Sequence, residues 1–165
     1  MQLEYFQLID RILDLNMDEK TIAVEAQVPT ESTIFEGHFP GYPIMPGVLL
    51  IETMAQTGGW LVLAANGCAK MAFLIQVEKA KLRSFVLPGQ TLEAEANLLH
   101  DGSGYAVVKA SIAAGGKKVT EAEIRYGVVP FPNEALRAAM LETARRVGLP
   151  AQFISLGIPE CGTPE

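Results

Sequence analysis

Residues 47–65 read GVLLIETMAQTGGWLVLAA, and the placement of that run decides the fold. Val48, Leu49, Leu50, Ile51, Met54, Ala55, Trp60, Leu61, Val62 and Leu63 put apolar side chains on nearly every face of a helix, and a helix apolar all round is a buried one. Pro46 stands at the first turn, where its missing N–H costs nothing, and Asn66-Gly67 supplies a stop. The run is almost long enough to span a bilayer. It carries Glu52 and Gln56, however, and an unpaired carboxylate in hydrocarbon is expensive. The expectation is a core helix with no membrane insertion. Gly58-Gly59 weakens the helix but lets a neighbouring element approach closely.

Outward from this helix the pattern changes period. In 21–28, Ile22, Val24, Ala26 and Val28 share one face, as in a half-buried strand. Downstream, strand-like runs occupy 71–77, 78–86, 91–99, 105–113 and 117–129, with breaks at Pro88-Gly89, Asp101-Gly102 and Gly115-Gly116. Leu92, Ala94, Ala96 and Leu98 alternate with Glu93, Glu95 and Asn97. One helix followed by a run of antiparallel strands predicts an α+β domain whose sheet covers the helix. Residues 6–15 fit a short helix or a strand equally well. A second helix is expected over 133–147, where Leu136, Met140 and Ala144 are spaced i, i+4, i+8 and Gly148-Leu149-Pro150 follows. The organisation expected is a domain over 1–130, a helical extension over 131–150 and a mobile tail over 151–165.

The 165 residues suit one domain, and 49% hydrophobic against 19% charged argues against disorder. A formal net charge of -6 and a pI near 5.0 argue against nucleic-acid binding. Cys68 and Cys161 have no metal-ligand spacing and read as free thiols in a reducing compartment. With no basic and apolar leader pattern after Met1, a cytoplasmic location is expected.

The chemistry concentrates in 29–47, a long turn-rich segment rich in Pro and Gly, and in the helix start after it; long segments of that kind are usually functional. His38 sits in the stiff loop and Glu52 in the second turn of the apolar helix. A buried, unpaired carboxylate tends to stay protonated and so can donate a proton. A histidine, with an ordinary pKa of about 6.5, is a matching base near neutrality. An acid and a base in one apolar cleft suit the elimination of water. The free N–H groups at Gly47 and Val48, at the positive end of the helix dipole, could hold a thioester carbonyl as it gains enolate character.

The run G-H-F-P-G-x-P-x-x-P-G-V-L-x-x-E-x-M-A-Q over 37–56 closely resembles the β-hydroxyacyl-acyl-carrier-protein dehydratases of the FabZ type, and a looser likeness extends from about residue 5 to about 129. Glu52, where the related isomerising FabA type has Asp, favours the FabZ type. The resemblance implies a hotdog fold, an antiparallel sheet wrapped round one long central helix, here with an extra C-terminal helix. It implies a homodimer or a trimer of dimers, with an interface tunnel built from His38 of one subunit and Glu52 of the other. His38 would take the C2 proton of a (3R)-3-hydroxyacyl thioester and Glu52 would protonate the departing hydroxyl. Gly47 would hold the carbonyl and Gln56 would orient Glu52. The pathway implied is fatty-acid or lipid A acyl-chain synthesis. No metal or cofactor is implied, because phosphopantetheine arrives on the acyl carrier protein substrate. The chain departs from the family's pattern in its N-terminal run, in having Leu87 rather than a tyrosine before Pro88-Gly89, and in continuing about thirty-five residues past the last strand. That extension is expected to cover the tunnel or to build an oligomer contact, with a chain-length preference of its own.

Plainer readings stand beside these. Gly47 is needed as a turn whether or not it binds a carbonyl, and Gln56 at i+4 from Glu52 could cap backbone instead. His100 reads as a solvated turn histidine, and Trp60 and Met54 as packing. Lys79, Lys81 and Arg83 share one strand face, either an ordinary wet face or a docking patch for an acidic carrier protein; Arg137, Arg145 and Arg146 are rivals for that role. Two other functions fit the same fold, an acyl-thioesterase and a non-catalytic acyl-binding subunit. The intact pair His38 and Glu52 favours dehydration over both.

Overall fold

Described by a computed structural model over residues 1–155, the chain opens with a 3-10 turn (Leu3–Tyr5) and strands β1 (Arg11–Asn16) and β2 (Thr21–Gln27). Helices α1 (Thr33–Gly37) and α2 (Gly47–Ala65) follow, then strands β3 (Lys70–Leu82), β4 (Thr91–Gly102), β5 (Tyr105–Ala114) and β6 (Lys117–Pro130), and helices α3 (Glu134–Arg146) and α4 (Ala151–Ser155). The six strands form one antiparallel sheet in the order β1-β2-β4-β5-β6-β3. Helix α2 packs against β2, β3, β4, β5 and β6, so the sheet curls round it in the hotdog arrangement.

Alternation in the sequence explains the curl's interior. Ile22, Val24, Ala26 and Val28 on one strand and Leu92, Ala94, Ala96 and Leu98 on another are all buried, while Glu93 and Glu95 are exposed. From α2, Met54 and Leu61 are fully buried, each worth about 1.5–3 kcal/mol of apolar transfer. The glycine pair has its close neighbour: a Cβ at Gly58 would lie 2.6 Å from both the Tyr126 hydroxyl oxygen and Val108 Cγ2. That hydroxyl donates to the Ala55 carbonyl at 2.7 Å, fastening β6 to the helix. Helix α2, as a 19-residue apolar segment, is long enough to cross a membrane, but two-thirds of it is buried inside this fold.

Three local features differ from the sequence reading, and one open choice is decided. The runs expected at 71–77 and 78–86 are one strand. β3 stays paired with β6 throughout and absorbs the extra residues in two irregularities, one of which contains Lys79 at φ +53. Of the two forms open to 6–15, the strand is the one taken, at 11–16, where it pairs with β2. Inside the turn-rich segment, α1 forms because the Ser32 hydroxyl accepts from Ile34 N, while Glu4 accepts from the Ser32 hydroxyl and Thr33 N. The expected tail begins as α4, with Ile154 buried; its remainder, residues 156–165 with Cys161, lies outside the described residues.

The extension expected over 131–150 is present as α3. Asn133 caps it, accepting from Leu136 N at 2.8 Å. Ala144, Val147 and Leu149 belong to the same hydrophobic core as the sheet and α2, and Val147 O accepts from Ile12 N at 2.7 Å.

Candidate active site

The loop after α1 is held by its own hydrogen bonds. Phe39 and Tyr42 exchange N–H···O bonds at 3.1 and 2.9 Å, and Ile44 N donates to His38 O at 3.0 Å. The His38 ring stacks on Phe39, with centroids 4.2 Å apart, and its Nδ1 lies 3.1 Å from Ile44 O. A carbonyl can only accept, so Nδ1 carries the hydrogen in the neutral ring and Nε2 keeps the basic lone pair. His38 lines a cavity of about 510 Å³ with Phe39, Ile44, Gly47, Leu82 and Phe85. A Cβ at Gly47 would sit 2.5 Å from Leu82 Cδ1, the end of an exposed side chain that would have to turn aside. The Val48 side chain points outward and is 71% exposed.

Glu52 faces a different cavity, of about 380 Å³, shared with Gln56, Gly59, Trp60, Tyr126 and Met140. The carboxylate is only half-buried in a single chain, and it is not unpaired, which corrects the sequence expectation. Gln56 Nε2 donates to Glu52 Oε1 at 3.0 Å and to Phe6 O at 2.7 Å, while Gln56 Oε1 accepts from Leu8 N at 3.1 Å. Gln56 therefore both orients Glu52 and ties the N-terminal segment to α2. Tyr5, Phe6, Gln7 and Ile9 form a wall of this cavity despite the altered N-terminal run. Burial pushes the Tyr126 hydroxyl well above the ordinary tyrosine range, and the nearby Glu52 charge adds to the rise.

His38 and Glu52 thus line separate cavities with no lining residue in common, and one chain does not bring them together. Trp60 is buried as expected but also lines the Glu52 cavity. Met140 and Thr143 of α3 line it too, and sequence reasoning missed them. Their only signal was i, i+3 spacing on an amphipathic helix, which carries no chemistry.

The candidate docking residues do share a face, but their charge is compensated. Lys79 Nζ contacts both Glu123 oxygens at 2.8 and 2.9 Å, Arg83 pairs with Glu121, and Lys81 Nζ lies 4.0 Å from Glu121. Their partners register the pairing: the hydrogen bond from Arg83 holds the Glu121 carboxyl below its usual range, and Glu123 holds Lys79 above its own. His100 is exposed and stacks on Tyr105. Cys68 is buried, which raises its thiol pKa. Among the described residues, no group of three or more His, Cys, Asp and Glu side chains is placed to hold a metal ion.

Comparison with known proteins adds the family. Residues 1–123 match the FabA-like domain. The chain is 39% identical over 121 residues to a 3-hydroxyacyl-[acyl-carrier-protein] dehydratase FabZ of Protochlamydia amoebophila, covering 73% of this chain and 79% of that one. It is 35% identical over 124 residues to the FabZ of Ruminiclostridium cellulolyticum, covering 74% and 87%. A bifunctional LpxC/FabZ enzyme of Chlorobaculum tepidum matches at 39% over 130 residues, which is 78% of this chain and 28% of that enzyme. Among solved structures, a hypothetical thioesterase of Streptococcus pneumoniae with coenzyme A superposes with a TM-score of 0.58 at 14% identity, covering 74% and 90%. A conserved protein of Pseudomonas aeruginosa reaches 0.60 at 21%, covering 76% and 91%. At such identities these two establish the fold alone.

Proposed function

The chain belongs to the FabZ family of 3-hydroxyacyl-[acyl-carrier-protein] dehydratases, and we propose that it performs this reaction at a site completed by a second copy, with His38 from one chain and Glu52 from the other. It is an enzyme that converts 3-hydroxyacyl thioesters to enoyl thioesters in fatty-acid synthesis; the residue roles and the assembly are the proposal. The thioesterase titles among the structural neighbours come with 14% identity, whereas the dehydratases match at 35–39% over most of the chain.

Nε2 of His38 takes the C2 proton of the (3R)-3-hydroxyacyl thioester, and the electron pair moves into the thioester carbonyl. The N–H groups at the start of α2, at Gly47 and Val48, stabilise that enolate oxygen. As the enolate collapses, the C3–O bond breaks and the Glu52 carboxyl delivers a proton, so the hydroxyl leaves as water and a trans-2 double bond forms. The proton on His38 then returns to Glu52, closing the cycle. Nothing in this sequence of steps calls for a metal or a resident cofactor.

One observation carries the two-chain site: each half of the acid–base pair lines its own cavity, and both halves are rimmed by exposed apolar side chains. Phe39 and Phe85 line the histidine half, and Tyr42, bonded to Phe39, and Val48, next to Gly47, stand exposed beside it, all four at 51–71% exposure. Strand β3 is a thirteen-residue sheet edge on which Phe73, Leu74 and Ile75 are also exposed. Long apolar edges are normally covered, and a second copy paired along β3 would cover this one. A homodimer, alone or as a trimer of dimers, is the assembly this supports.

The carrier protein is the macromolecular partner, and a cytoplasmic location accords with that substrate. Lys79, Lys81 and Arg83 remain its docking candidates, because exposed ion pairs are weak and can exchange partners. Charge reversal at Lys81 and Arg83 raises KM for the carrier-bound substrate and leaves a short thioester analogue unaffected; equal effects on both would rule the patch out. The reaction itself is tested by incubating the protein with (3R)-hydroxyacyl carrier protein and weighing the acyl group. Loss of one water, abolished in His38→Ala and Glu52→Gln, is expected. Release of free acid would make it a thioesterase, and an unaltered acyl group would leave only a binding role.

A further inference from the structure

We propose that α3, which lies beyond the matched dehydratase domain, closes the acyl-chain cavity and sets the longest chain accepted, with Met140 and Thr143 as the length-determining residues. The proposal rests on the reading of Glu52 as the acid that meets C3 of the substrate. The domain match ends at residue 123, within β6, so α3 lies outside the matched region.

Glu52, Gln56, Gly59 and Leu63 recur at helical spacing on one face of α2, and all line one cavity. From Glu52 to Leu63 the helix advances about 16 Å. An extended alkyl chain advances roughly 1.25 Å per carbon for bonds of about 1.5 Å, so that face accommodates roughly a dozen carbons beyond C3. The polar groups of α2 stand at one end, Glu52 with Gln56, and Trp60 and Leu63 stand at the other. Midway, Gly59 contributes no side chain, and a Cβ built there meets nothing closer than Tyr126 Cε1 at 4.0 Å.

Helix α3 supplies the wall opposite. Met140, Thr143 and Val147 lie at i, i+3 and i+7, and all three line the cavity. Its direction follows from the sheet: Pro130, four residues before α3, pairs with Lys70, which lies just past the end of α2. Helix α3 therefore starts beside the C-terminal end of α2. Met140, one turn on from Arg137, falls toward the end of the cavity remote from Glu52. Met140 is partly buried against the core, so the wall is held rather than draped.

The test measures kcat/KM for enoyl formation on (3R)-hydroxyacyl carrier proteins of graded chain length, with melting curves for every variant. In a closed apolar pocket, each methylene too many lowers kcat/KM by roughly tenfold or more. Met140→Trp and Thr143→Leu are expected to cut activity on the longest accepted chain by at least about tenfold, leaving the shortest within about twofold. Met140→Ala is expected to extend the accepted length. Gly59→Leu, which fills the cavity from the α2 side, is expected to act like Met140→Trp. If Gly59→Leu shortens the profile but folded α3 variants do not, the chain lies in the cavity away from α3 and the inference falls. It falls also if folded α3 variants lose activity equally at all lengths. A wild-type protein inactive on every length would instead overturn the dehydratase reading beneath it.

Discussion

At the residue scale, Gln56 links the site's chemistry to its architecture. One amide donates to the Glu52 carboxylate and to Phe6 O and accepts from Leu8 N, so its loss leaves a half-buried carboxylate and two backbone groups short of partners. Gln56→Ala should lower stability by about 1–3 kcal/mol and kcat by about tenfold, read from melting curves and turnover of a short thioester. Two other residues govern alkaline behaviour. The Cys68 thiol and the Tyr126 hydroxyl are buried, and burial raises the pKa of both in the fold. A raised folded pKa means that the folded chain keeps its proton after the unfolded chain has lost it. Stability present at neutral pH is then lost as pH rises past about 8.5 for the thiol and past about 10 for the phenol, with a slope of at most about 1.4 kcal/mol per pH unit for each group. Melting temperatures taken from pH 8 upward should fall along that limb, and Tyr126→Phe with Cys68→Ala should flatten it even if the neutral-pH stability changes. An unchanged slope would remove these two groups as its cause.

At the scale of the element, α2 shows what a sequence discloses and what it withholds. Its apolar surface, its proline start and its Asn-Gly stop were legible because each follows from local chemistry. So was the need for a close neighbour at the glycine pair, though not which glycine. The two now make opposite predictions. A methyl at Gly58 collides with Tyr126 and Val108 and should cost about 1–3 kcal/mol. At Gly59 the same methyl has room, and the gain in helix propensity of up to about 1 kcal/mol should raise the melting temperature. Thermal melts of the two alanine variants decide it. Strand β3 marks the limit of such reading. The stretch around Val77 and Glu78 looks like a break because a bulge and a turn interrupt alternation alike, and only the unbroken pairing with β6 tells them apart. The roles of Met140 and Thr143 were invisible for a similar reason, since a cavity wall has no residue signature until the elements around it are placed.

At the scale of the whole molecule, the motif over 37–56 marked out His38 and Glu52, and the family resemblance it carries already placed them on different subunits, as their separate cavities in one chain accord with. His38 and Glu52 are fourteen positions from each other in sequence, yet the loop turns the histidine into one cavity while α2 turns the carboxylate into another. On the proposed two-chain site the assembly is a chemical requirement rather than a matter of stability, and it can be tested without a structure of the dimer. A His38→Ala chain and a Glu52→Gln chain should each be inactive alone. In a two-fold dimer of one copy of each, one site inherits both lesions and the other inherits neither. Random re-association of an equal mixture makes half the dimers mixed, so activity should return to about a quarter of the wild-type value. A site contained within one chain would give no recovery at any mixing ratio. Placing a charge on the exposed edge, as in Ile75→Lys, should shift the protein toward monomer in sedimentation and remove activity in proportion. A monomeric variant that still dehydrated its substrate would break the link between the β3 edge and the reaction.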